Sequence, residues 1–150
     1  LLTTSIVASV AAGDEILDVY HTDFSVTEKS DRTPLTLADQ KSHAVIMSFL
    51  DKTNIPVLSE EGRDIPYSTR RRWERLWIVD PLDGTSNFAA GIPYFAISIA
   101  LIIKGKVRLG LVYDPNRNEA FSATENSPAL LNGLAIPKVS APEKPLGAPG

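Results

Sequence analysis

The 150 residues make one modest domain, and 43% hydrophobic composition is ample for a packed core. A net charge of −3 gives no overall electrostatic pull toward nucleic acid or anionic membranes. The absence of cysteine excludes disulfides and thiolate metal sites, so any metal must be held by oxygen ligands or by the two histidines, His21 and His43, and oxygen ligands favour magnesium, manganese or calcium.

No apolar run approaches the roughly 18 residues of a membrane span, and the start lacks the basic-then-apolar layout of a leader. The expectation is a soluble, cytoplasmic chain without membrane or nucleic-acid partners. From Leu2 to Tyr20 the residues Leu2, Ile6, Val10, Leu17 and Tyr20 recur at helical spacing, and Ala8, Ala11, Ala12 and Gly13 permit close packing against a neighbour. A second helix is expected from Leu37 to about Leu50, with His43, Ile46, Met47 and Leu50 on one stripe and Thr36 as its cap.

The remainder reads as strands at Phe24–Glu28, Val57–Ser59, Leu76–Val79, Phe95–Ile103, Val107–Tyr113 and Ala120–Ser122. Lys104-Gly105-Lys106 is a hairpin turn, so an antiparallel pair follows. The alternation Val107, Leu109, Leu111, Tyr113 suits a sheet with one covered face, and the two helices are its natural cover. The tail "APEKPLGAPG" reads as a loose end or linker, which places the domain at residues 1–140 and the tail at 141–150.

The chemistry candidates are carboxylates. In "WIVDPLDGTSNF", Pro81 is expected to stop the strand and Gly84 to reverse the chain, so that Asp80 and Asp83 converge on one side of a tight turn. An ordinary strand-ending turn explains the same residues, because Asp-Pro and Asp-Gly are favoured for conformational reasons. A short helix starting at "GTSNF" would aim the amides of Gly84, Thr85 and Ser86 at the same spot, a phosphate-binding arrangement, and the Thr85 hydroxyl would either orient a water or cap the helix. In "LSEEG", alternation along a strand lets only one of Glu60 and Glu61 face a site. Thr36 and Asp39 have the spacing of a capping box, and pattern alone prefers that role for Asp39 over one in the acidic site. His43 reads as a satisfied packing residue and His21 as a helix-end cation, while the arginines of "STRRRWER" read as a solvated connector.

"TPLTLAD", "VLSEEG" and "WIVDPLDGTSNF", in this order and spacing, resemble the inositol monophosphatase superfamily of magnesium-dependent, lithium-inhibited phosphomonoesterases. The resemblance implies an α/β (α+β) fold, the amino-terminal half of that family's layered sandwich, with two helices packed on a mainly antiparallel sheet. It implies that Glu60, Asp80, Asp83 and the Leu82 carbonyl bind magnesium, two or three ions in the family, and that Asp39 supports a further ion. It also implies that Thr85 paired with Asp39 activates water, and that Gly84, Thr85 and Ser86 contact phosphate. Glu60 is thereby preferred to Glu61, and Asp39 passes from cap to site.

Up to Thr85 the text is similar to bacterial 3'(2'),5'-bisphosphate nucleotidases, which act on 3'-phosphoadenosine 5'-phosphate. From Ser86 onward "SNFAAGIPYFAISIAL", "LGLVYDP" and "LLNG" are similar to inositol monophosphatases, where the nucleotidases usually continue with Lys-Glu-Phe. Family members carry a Trp-Asp segment in a second half, and no Trp-Asp pair occurs in these 150 residues. The expectations are therefore a hydrolase of a small phosphorylated substrate, nucleotide bisphosphate first and inositol phosphate second. The alternative is a non-catalytic half-domain acting as a binding or assembly module, which would expose an apolar face and so form a homo-oligomer or take a partner.

Overall fold

The computed structural model describes residues 1–22 and 33–140. The strand expected at Phe24–Glu28 and the tail 141–150 lie outside the described residues. The first helix, α1, is Leu2–Tyr20, and the second, α2, is Pro34–Leu50. The strands are β1 Val57–Ser59, β2 Arg75–Asp83, β3 Ala96–Ile103, β4 Lys106–Asp114, β5 Glu119–Thr124, β6 Leu130–Leu131 and β7 Leu134–Ala135. A 3-10 turn at Asp51–Thr53 follows α2, and two short helices complete the set, α3 at Tyr67–Arg70 before β2 and α4 at Thr85–Ala89 after it. All seven strands form one sheet in sequence order, with β1 parallel to β2 and every other pair antiparallel.

The helices cover one face of this sheet. Trp77, Val79, Ile97, Ile99, Leu101, Leu109, Leu111 and Tyr113 are buried there beneath Ala12, Ile16, Val19, Ala38, Ile46 and Leu50. Each large aliphatic or aromatic side chain so buried contributes about 1.5–3 kcal/mol. Trp77, fully buried, keeps its indole N–H satisfied by donating to Thr53 Oγ1 at 3.0 Å.

Three expectations about elements need correction. The buried face of α1 is Ser5, Ala8, Ser9, Ala12, Gly13, Ile16 and Val19, while Leu2, Ile6, Val10, Leu17 and Tyr20 pack only partly against the core. Small side chains sit at the centre because the helix lies close to its neighbours. Ser5 and Ser9 hide their hydroxyls on backbone carbonyls of their own helix, those of Leu2 and Ser5. The α2 cap is Thr33, whose Oγ1 accepts from Thr36 N at 3.1 Å, with Pro34 in the first helical turn where its missing N–H costs nothing. Asp39 is thus no part of a capping box. Val107 is 62% exposed because the register slips between Leu101 and Ile102, where Arg108 is an extra residue that turns Val107 off the inner face.

The β3–β4 hairpin turns on Lys104 and Gly105, both at positive φ (50° and 73°), the pairing that matches strand twist.

Candidate metal centre

The site forms where the parallel pair ends. Strand β1 stops at Ser59, and the turn Ser59-Glu60-Glu61-Gly62 is closed by Gly62 N donating to Ser59 O at 3.0 Å, with Glu60 N donating across to Val79 O at 3.2 Å. Alternation therefore ceases before the acidic pair, and both Glu60 and Glu61 act on the same group, contrary to the strand-based expectation.

Pro81 does not stop β2. The strand runs on to Asp83, with Asp80 opposite Ser98 and Asp83 opposite Ala96, so three steps on β2 match two on β3. This bulge absorbs the missing proline N–H. Pro81 and Leu82 are both buried in succession, leaving the intermediate Asp80 and exposed Asp83 on the other side. In a regular strand, carboxylates three residues apart would point to opposite faces; the extra residue brings these two together.

Two contacts from neighbouring residues of α2 fix the strand ends. Ser42 Oγ, buried, donates to Pro81 O at 2.7 Å, and His43 Nδ1 lies 2.9 Å from Ser59 Oγ. Asp39, one helical turn before His43, faces the carboxylates. Burial first, then the Glu61 charge and a hydrogen bond with Glu61, then Asp80 and Glu60, push the Asp39 carboxyl from 3.8 up to about 7. Burial and the Glu60 charge likewise raise Asp80 to about 6, with a smaller push from Asp83, although Leu82 N donates to Asp80 Oδ1 at 3.2 Å and opposes the shift.

The five carboxylates Asp39, Glu60, Glu61, Asp80 and Asp83 are thus coupled through their charges. Among the described residues, no three acidic or imidazole groups converge tightly enough to hold an ion as they stand. Among the described residues no Lys or Arg pairs with any of the five, the ion pairs there being Lys41–Glu15 and Arg108–Glu125. All-oxygen and hard, this donor group fits magnesium or manganese and gives a soft metal nothing to prefer.

Gly84 follows at φ +83°, and a Cβ there would stand 2.9 Å from the Tyr94 carbonyl oxygen, so only glycine makes this turn. It is the N-cap of α4, which has no side-chain cap, so Thr85 is the first helical residue and does not cap. Phe88 anchors α4 in an aromatic cluster with Tyr20 and Phe95, ring centroids 5.0–5.4 Å apart. Ser86 is exposed, and Thr85 and Gly84 are half-buried. His21, exposed, is the C-cap residue of α1. The arginines of the β1–β2 connection are exposed; Arg70 lies over the Tyr67 ring and Arg72 Nε donates to Ser68 O.

The sequence profile of the inositol monophosphatase family matches residues 1–148. The chain belongs to the inositol monophosphatase family. It is 46% identical to the 3'(2'),5'-bisphosphate nucleotidase CysQ of Shigella flexneri over 119 residues, 76% of this chain and 48% of that protein. It is 36% identical to the Nus factor SuhB of Escherichia coli K12 over 140 residues, 91% of this chain and 51% of that protein. Among solved structures, CysQ from Bacteroides thetaiotaomicron superposes with a TM-score of 0.80 at 37% identity, covering 93% of this chain and 52% of that one. The chain spans about half the length of the relatives it matches.

The layered family fold is accordingly present as two helices on a mixed sheet, and the sheet's other face is open. Ile78, Val112, Phe121 and Ile136 stand 37–44% exposed on it. They line a trough of about 820 Å³ that reaches Glu60 and Asp80 at one end. Its floor is a row of paired residues across four strands, Ile78, Ala100, Gly110 and Ala123. No helix among the described residues is long and apolar enough to cross a membrane.

Proposed function

We propose that the chain carries the metal and phosphate half of a magnesium-dependent phosphomonoesterase whose substrate is 3'-phosphoadenosine 5'-phosphate, a 3'(2'),5'-bisphosphate nucleotidase. The observation that carries the chemistry is the coupled set of five carboxylates, which acquires its meaning from the Gly84 turn beside it. Likeness at 46% to a bisphosphate nucleotidase supports the substrate. Inositol phosphate is the second choice, supported by the text after Thr85.

Glu60, Asp80, Asp83 and the Leu82 carbonyl would hold magnesium, with Asp39 supporting a further ion. Bound magnesium would supply charge neutralisation of the phosphate and a lowered pKa for water. Thr85 and Asp39 orient that water and take its proton. The amides of Gly84, Thr85 and Ser86 bind the phosphate oxygens. The water oxygen attacks phosphorus in line, the phosphorus–oxygen ester bond breaks, and the alcohol leaves with a proton, without a covalent enzyme intermediate.

Release of inorganic phosphate from adenosine 3',5'-bisphosphate and from inositol 1-phosphate, measured across a magnesium titration, tests this reading. The expected result is magnesium-dependent release, faster with the nucleotide and lost in Asp83→Asn. A folded preparation inert toward both esters removes the catalytic reading for this chain.

The second reading is a non-catalytic half-domain that binds metal or phosphate weakly and assembles with a partner or a second copy. The open apolar face of the sheet favours it. A dispersed monomer with ordinary turnover would exclude it.

A further inference from the structure

We infer that His43, acting through Ser59, is a positioning residue for the Glu60–Glu61 turn. The inference rests on the metal reading above for its consequence, and on the hydrogen bonding alone for its geometry. His43 is half-buried on α2, one turn past Asp39, so the two side chains leave the same face of the helix. Its Nδ1 is 2.9 Å from the hydroxyl of Ser59, a buried residue that ends β1 and directly precedes Glu60.

Ser59 is also the acceptor that closes the turn, through Gly62 N at 3.0 Å. Both glutamates are exposed, and their own side chains have little packing to hold them. The orientation of the turn therefore depends on its base, and the base is tied to the helix that carries Asp39. Ser42, adjacent to His43, does the same for the other strand by donating to Pro81 O at 2.7 Å. One helical turn thus registers both acidic strand ends against Asp39. Groups that orient ligands from behind in this way typically alter metal affinity about 10- to 100-fold when removed.

The probe is manganese, with free ion counted by its electron paramagnetic resonance signal in titrations of the whole chain. His43→Ala and Ser59→Ala each raise the Kd about tenfold, and the double variant is no worse than either single one, because both remove the same link. His43→Asn, which keeps a polar atom near the Nδ1 position, restores most of the affinity. A merely structural role lowers the thermal midpoint and leaves the Kd unchanged.

Amide hydrogen exchange supplies the metal-independent arm: Glu60 and Gly62 exchange faster in both alanine variants than in the parent. If Asp83→Asn weakens manganese binding while His43→Ala and Ser59→Ala do not, positioning is refuted and the metal reading survives. If the parent binds no manganese, the metal reading falls, and the exchange result alone decides the geometric claim. Unchanged Glu60 and Gly62 exchange overturns it.

Discussion

Asp39 and Asp80 hold protons well above the pH at which ordinary carboxylates lose them, at about 7 and about 6. Between 3.8 and those values the folded chain binds more protons than the unfolded one, so stability is greatest at the low end and is lost as pH rises through the window. With chelator present, the thermal midpoint should fall from about pH 4 to about pH 7. Asp39→Asn should remove much of that slope and stand above the parent at neutral pH; an unchanged slope would show that burial and the neighbouring carboxylates do not raise Asp39. Gly84 argues at the same scale. Gly84→Ala places a methyl 2.9 Å from the Tyr94 carbonyl at φ +83°, and should cost at least about 1–3 kcal/mol in urea denaturation.

At the scale of elements, α2 and the bulge in β2 form one unit. Ser42→Ala deletes the buried donor to the Pro81 carbonyl, and should cost about 1–3 kcal/mol, read from denaturant midpoints. The hairpin at Lys104-Gly105 and strand β1 were legible in the sequence, because turn chemistry and a short apolar run are local signals. The passage of β2 through Pro81 was not, since a bulge depends on the partner strand. Nor did helical periodicity reveal which face of α1 is buried: close helix packing selects small residues, and hydropathy counts large ones. Thr33-Pro34 starts the helix, a cap followed by proline in the first turn, whereas the apolar pattern by itself points to a start at Leu37. For the acidic centre, the residues were legible through the order of three motifs. The convergence of Glu61 with Glu60 was not, because it depends on where β1 ends.

For the whole molecule, the decisive feature is a sheet covered on one face and open on the other. The open face is apolar and reaches the acidic centre, and the chain spans about half of its relatives. Self-association should follow from it, visible as a concentration-dependent mass in sedimentation, and Val112→Lys should shift the chain toward monomer without lowering its thermal midpoint. A monomeric parent at all concentrations would contradict this. The acidic centre lies at the strand ends and is built from α2, the β1 turn and the β2 bulge, all within the described residues, so the proposed metal binding can be tested on the chain as it is. The most direct measurement is the thermal midpoint at about pH 8 with and without magnesium, for the parent and for Asp83→Asn. The expected result is a rise of roughly 5–10 °C for the parent at about a hundredfold excess over Kd, and little or none for the variant. An equal shift in both proteins, or none in the parent, would contradict the claim that these carboxylates form the metal centre.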